Sequence, residues 1–260
     1  SPFAFTGNKF EFRSVGASQS IATPNFILNT IVAEALCEIA DRLEKATDFR
    51  AEANELIKEL VRKHKRVIFN GNNYSEEWVR EAERRGLKNL RTAVDAIQTL
   101  IDEKNIRLFE KHGVLNSAEI HSRYEIQLEN YVKTIRIEAL TMVEMAERQI
   151  LPASIRYMKD VADAVTSLNS ACVDSSVVKG DLDRLVMLTK GLRNKIDELN
   201  LNIQKLDEII SGNLDRAMFC KDVLVPLMEE LRQYADRLEC SVDAGYWPIP
   251  TYTDLMFGLI

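Results

Sequence analysis

Glycine and proline are scarce in this sequence, ten and six among 260 residues. That scarcity excludes collagen-like, linker-rich and turn-dense all-β chains, which need both residues at short intervals. Histidine is scarcer still: His64, His112 and His121 are the whole set, and none stands in HExxH or ExxH spacing. A zinc protease helix and a di-metal four-helix bundle are thereby excluded. The histidines read as solvated or capping residues. There is no GxxxxGK[ST] or GxGxxG phosphate loop, so Gly71 and Gly86 read as turn and cap glycines. Four cysteines, Cys37, Cys172, Cys220 and Cys240, lack CxxC spacing and read as reduced thiols of a cytoplasmic protein, without disulfide or zinc. Basic residues are outnumbered 34 to 40, net charge −6, which leaves no electrostatic footprint for nucleic acid. No apolar run approaches the ~20 residues that span a bilayer; the longest, near residues 26–36, is interrupted by Asn29 and Glu34. Ser1 opens on a strand-like segment and no charged-then-apolar leader follows, so no secretory signal is expected. A start without Met in the middle of a pattern predicts a piece of a longer chain.

What is present is helix. With 46% hydrophobic and 28% charged residues, the chain can bury one large core or two small ones. Thr23-Pro24 reads as a helix start, Thr as N-cap and Pro at the first helical position. Ile27, Leu28, Ile31, Val32, Ala35, Leu36, Ile39 and Leu43 then recur at helical spacing. A second helix is expected near 48–65, an extended piece at Val67-Ile68-Phe69, a loop at Asn70–Asn73, and a helix capped by Ser75 and stopped near Gly86. Helix is expected again from Leu90 to Asp102, with a shorter piece to Lys111. A long helix from Asn116 or Ser117 runs through Ile120, Tyr124, Leu128, Tyr131, Ile135, Ala139 and Met142, with its first break at Pro152. Residues 178–211 form a heptad seam through Leu182, Leu185, Thr189, Leu192, Ile196, Leu199, Ile203, Leu206 and Ile210. After Gly212-Asn213 the chain returns as a helix kinked at Pro226, which makes an antiparallel hairpin over about 178–240. These stripes are packing surfaces. Helix is expected in about three quarters of the residues, against about one third in an average domain. Trp247-Pro248-Ile249-Pro250-Thr251-Tyr252 is a rigid non-helical tail expected to dock on another part of the protein.

The stretch Thr6-Gly7-Asn8-Lys9-Phe10-Glu11-Phe12-Arg13 carries the chemistry. On a strand Phe10 and Phe12 share one face, and Lys9, Glu11 and Arg13 the other. A carboxylate suits Mg²⁺ or Mn²⁺, and flanking Lys and Arg suit phosphate or carboxylate groups. By pattern alone such a row is equally a satisfied polar strand face. The run Ser1-Pro2-Phe3-Ala4-Phe5-Thr6-Gly7-Asn8-Lys9-Phe10-Glu11-Phe12-Arg13, with Val15-Gly16-Ala17-Ser18-Gln19-Ser20 and Ala22-Thr23-Pro24-Asn25, resembles the C-terminal part of a type III glutamine synthetase. So do Glu110-Lys111-His112-Gly113-Val114-Leu115, His121-Ser122-Arg123-Tyr124-Glu125, Arg148-Gln149-Ile150-Leu151-Pro152 and Trp247-Pro248-Ile249-Pro250.

The resemblance implies an ATP-dependent ligase that joins glutamate and ammonia through γ-glutamyl phosphate with Mg²⁺ or Mn²⁺. It implies that Glu11 is a metal ligand on the last core strand. Arg13 becomes the catalytic arginine that meets glutamate and the transferred phosphate. Lys9 becomes a nucleotide-phosphate contact, although relatives more usually carry Arg there. The implied fold is mainly α. The last strand and helix of an α+β catalytic domain, in residues 1–66, precede a helical C-terminal domain, 67–260, with the hairpin and the tail. A cytoplasmic homo-oligomer of stacked rings is expected, with no nucleic acid or membrane partner. The family's other metal-binding residues would lie upstream of Ser1, so the 260 residues alone are expected to be inactive. The alternative is a helical scaffold without catalysis.

Overall fold

The computed structural model describes residues 20–72 and 74–258 with their side chains, together with the backbones of two short strands. These strands, β1 (Phe3–Phe5) and β2 (Phe10–Phe12), pair antiparallel with Phe3 opposite Phe12 and Ala4 opposite Glu11. The single strand expected over residues 3–13 is therefore a strand pair.

The helices follow in chain order: α1 (Ala22–Leu43), α2 (Phe49–His64), α3 (Glu76–Arg84), α4 (Ala93–Ile97), α5 (Glu103–Lys111), α6 (Ser117–Met145), α7 (Leu151–Ser170), α8 (Ser176–Glu208), α9 (Asn213–Phe219), α10 (Val225–Glu239) and α11 (Tyr252–Phe257). Local chemistry sets many of these boundaries. The carboxylate of Asp48 accepts the amide N–H groups of Arg50 and Ala51 at the start of α2. Ser75 accepts from the Trp78 amide at α3, as expected, and Gly86 takes φ +73° just past its end. Thr251 and Asp254 close a reciprocal capping box on α11. Three sequence expectations shift. α1 starts at Ala22, whose amide donates to Ser20 Oγ, so Thr23 lies inside the helix. Thr92 caps a short α4 that tightens into a 3₁₀ turn over Gln98–Ile101, in place of a helix from Leu90 to Asp102. Lys65–Val67 is likewise a 3₁₀ turn, so the extended piece begins only at Ile68.

The chain divides into two compact units. The first comprises residues up to Asn89 together with Leu100–Ile120. Its core gathers Ile106, Phe109 and Ile120, with Phe26, Ile27, Leu100, Ile101 and Leu115 packed around them. The apolar stripe of α1 is only partly used there: Ile31, Val32 and Leu36 are about half exposed.

The second unit comprises Leu90–Thr99 and the residues from His121 onward. Its spine is α8. Leu185, Leu188, Leu192, Ile196, Leu199 and Leu206 lie almost wholly out of solvent along one stripe, against α7 on one side and α10 on the other. Arg136 clasps Asp207 through two bonds of 2.8 and 2.9 Å, and Arg193 meets Glu147 at 3.6 Å. Residue numbers rise on one helix as they fall on the other, so the α6–α7 helix runs antiparallel to α8. Lys195 with Glu230 (2.5 Å), and Gly191 against the Tyr234 ring, set the same relation between α8 and α10. Glu198 and Glu230 together hold the Lys195 ammonium charged, its pKa pushed up to about 12. Leu188 joins the expected seam, while Ile210 lies beyond the helix and is exposed.

Pro152 does not behave as the sequence predicts. The helix does not break at Pro152; it passes from α6 through a π turn, Ala146–Ile150, into α7. A second π turn, Cys220–Leu224, leads from α9 into α10 just before Pro226. Proline removes one N–H and crowds the carbonyl four residues back. An i→i+5 turn immediately upstream widens the helix there and relieves both problems.

Each long helix is thus one element, and its burial dominates the stability of the unit. Leu192→Ala should cost about 2–5 kcal/mol, because a fully buried leucine in a packed stripe leaves a cavity that neighbouring helices cannot close. Urea unfolding followed by helical circular dichroism measures the loss; a change under about 1 kcal/mol would contradict this packing.

Candidate functional site

The sequence places its candidate chemistry on the second strand. The backbone of β2 carries Glu11 directly across from Ala4 of β1. Lys9 and Arg13 lie outside the described residues, and so does the side chain of Glu11. The shared face of Lys9, Glu11 and Arg13 is accordingly not part of the described geometry. Among the described residues, no three His, Cys, Asp or Glu side chains converge as a metal site.

Downstream of the strand pair, the first unit fixes α1 by polar contacts between residues far apart in the chain. Glu34 accepts from Lys111 Nζ at 2.7 Å with one carboxylate oxygen and meets His112 Nε2 at 2.7 Å with the other. The two sides are 77 and 78 residues apart in sequence, beyond any helical or strand spacing. Next to this clamp, Phe26 of α1 packs edge-on to Phe109 of α5, with ring centroids 5.9 Å apart. The buried Thr30 hydroxyl donates to the Phe26 carbonyl at 2.7 Å. Hydrogen bonds from Lys111 and then His112 hold the Glu34 carboxyl below the usual carboxylate range. His112, expected as a capping or solvated residue, does sit at the C-terminal cap of α5, and it also bears this contact.

A second constellation in the same unit frames the loop before α3. Phe69 stacks on Trp78 with centroids 4.2 Å apart, and the Arg85 guanidinium lies 5.5 Å over the Trp78 ring. Arg85 also donates to the carbonyls of Ile68 (2.9 Å) and Arg66 (3.3 Å). Hydrogen bonds from Arg84 and then Arg85 draw the Glu81 carboxyl down to about 2. The four thiols are all free, and burial pushes Cys220 up to about 11, which leaves it an inert packing group. None of these arrangements is a catalytic constellation on its own. They are devices that hold helices in place.

Residues 52–169 match the family model described as the glutamine synthetase C-terminal domain. That stretch therefore carries a domain of one class of protein, the glutamine synthetases. Over nearly its whole length the chain is similar to a type-3 glutamine synthetase, that of Dictyostelium discoideum: 36% identical over 269 residues, across 99% of this chain and 36% of that protein. A glutamine synthetase of Butyrivibrio fibrisolvens is 35% identical over 271 residues (100% of this chain, 37% of that one). Another from Bacteroides fragilis (strain YCH46) is 26% identical over 267 residues (99% and 36%). The chain thus spans little more than a third of the length of the curated relatives it matches. No helix among the described residues is long and apolar enough to cross a membrane.

The Glu34 clamp has a defined pH signature. A carboxyl whose folded pKa is depressed contributes stability that is fully present above its unfolded pKa and is lost as pH falls through the folded value. Glu34→Gln should therefore lower the melting temperature at pH 7, and the gap to the parent protein should shrink as pH drops below the ordinary glutamate range. Thermal melts from pH 7 to pH 3 check this; a gap that stays constant across the range would show that the charge of Glu34 is not what holds α1 to α5.

Proposed function

We propose that the chain is the C-terminal part of an ATP-dependent ligase that forms glutamine from glutamate and ammonia. The observation that carries the reading is the alignment of nearly all 260 residues with a type-3 glutamine synthetase. In this reading ATP phosphorylates the γ-carboxylate of glutamate, and ammonia displaces phosphate from the γ-glutamyl phosphate. Such chemistry depends on positioning and on charge stabilisation of the transferred phosphoryl group. Glu11 contributes one carboxylate toward a divalent ion, Mg²⁺ or Mn²⁺. Arg13 orients the glutamate substrate and the transferred phosphate through its planar fork, and Lys9 supports the nucleotide phosphates as a point charge.

The proposed division of labour follows the chain. Residues 1–66 complete the catalytic domain, and residues 67–260 form a helical extension with a coiled-coil-like hairpin over about 178–240. The extension serves assembly of a cytoplasmic homo-oligomer of stacked rings. The 260 residues by themselves are inactive, because the single carboxylate of Glu11 cannot hold the two or three divalent ions of such a site.

The competing reading, a helical scaffold without catalysis, draws on the long buried stripe of α8. A γ-glutamyl hydroxamate assay on the full-length protein separates the two. Glu11→Ala should lower activity by at least about a hundredfold, in keeping with loss of a transition-state electrostatic contact, with oligomer size by light scattering unchanged. Arg13→Lys should lower activity as well, since an ammonium cannot reproduce a bidentate fork. Full activity in the Glu11→Ala protein would remove Glu11 from the site, and no activity in the parent protein with either metal would favour the scaffold.

A further inference from the structure

The second unit contains a cavity of about 210 Å³, lined by none of the residues given a role in the proposed ligase reaction. One wall comes from α6 and the π turn after it, through Met142, Met145 and Ile150; α10 supplies Leu231 and Ala235; the tail closes it with Trp247. The tail is firmly seated. Trp247 is nine-tenths buried, the Tyr246 hydroxyl bonds Asp160, and the Tyr246 ring packs against Tyr157 with centroids 5.5 Å apart. The Tyr252 hydroxyl accepts from Arg232 at 2.9 Å and donates to Asp236 at 3.1 Å. The cavity is therefore framed by three anchored segments.

Its chemistry is specific. The interior is apolar, and its two methionines are polarizable side chains that suit aromatic rings and adapt to their shape. Trp247 lines the cavity, and its buried indole N–H has no acceptor among the described residues. Charges gather at the rim: Asp236 lies 3.6 Å from Arg232, whereas Glu239 accepts only the Tyr252 amide, at 2.9 Å, and has no cationic partner among the described residues. An apolar cavity of about 150 Å³ is known to hold a benzene ring, so this one has room for a ring with a short side arm. The uncompensated carboxylate selects the sign of that arm.

We propose that this cavity is a binding site for a small aromatic amine, its ring held among Met142, Met145, Leu231 and Trp247 and its ammonium beside Glu239. The cavity is lined by none of Lys9, Glu11 and Arg13, and the proposal stands whether or not those residues act as proposed, because its test reads binding alone.

Calorimetric titration of the full-length protein with 2-phenylethylamine, 2-phenylethanol and phenylacetate varies the charge of the arm on one ring. The amine should bind saturably to one site, about tenfold more tightly than the alcohol, with phenylacetate weakest, as expected for one close charge pair. Ala235→Phe, which fills the cavity, should weaken the amine at least about tenfold with the circular dichroism spectrum unchanged. Glu239→Gln, a change at the partly exposed rim, should bring the amine down to the affinity of the alcohol, and it keeps the test decisive should Ala235→Phe not fold. No saturable amine binding, equal affinity for phenylacetate, or an undiminished amine preference in Glu239→Gln would overturn the assignment.

Discussion

The second unit depends on the burial of one stripe of α8. Leu185, Leu188, Leu192, Ile196, Leu199 and Leu206 make that helix the partner of both neighbours at once. At about 25 cal/mol per Å² of apolar surface removed from water, such a stripe outweighs any surface ion pair along it. The ion pairs Arg136–Asp207, Arg193–Glu147 and Lys195–Glu230 lie beside it and set register and direction. This order of magnitudes explains why helices with prolines inside them remain continuous. Two π turns absorb Pro152 and Pro226, keeping both flanking helices on the α8 stripe.

The first unit is held by fewer and smaller terms. A core around Ile106, Phe109 and Ile120 is supplemented by the Glu34 clamp and by the Phe69–Trp78–Arg85 stack. Much of the apolar surface of α1 stays open, with Ile31, Val32 and Leu36 about half exposed.

The tail shows how a terminal segment acquires structure without a long helix of its own. Proline at positions 248 and 250 prevents helix, and the aromatic residues on either side provide the burial that holds it. Trp247 is buried, Tyr246 and Tyr252 reach charged partners, and only then does the short α11 begin behind its capping box. The expected docking of the tail is therefore realised within the second unit.

Local chemistry determined much of what was legible in advance. The 3.6-residue recurrence of apolar side chains marked α1, α2, α6, α8 and α10, because helix periodicity is written in neighbours three and four apart. Ser75, Gly86 and Gly212 marked ends for equally local reasons. The words shared with type III glutamine synthetases pointed to the family. Tertiary structure alone decided the rest. Pro152 read as a break because a π turn has no sequence signature, and packing on α8 selects it. Glu34 read as a charge interrupting an apolar run, because Lys111 and His112 come beside it only when the chain folds back across 77 residues or more. The pairing of Phe3–Phe5 with Phe10–Phe12 and the cavity behind Trp247 belong to the same class. Each is an arrangement between segments whose separate sequences do not mention one another.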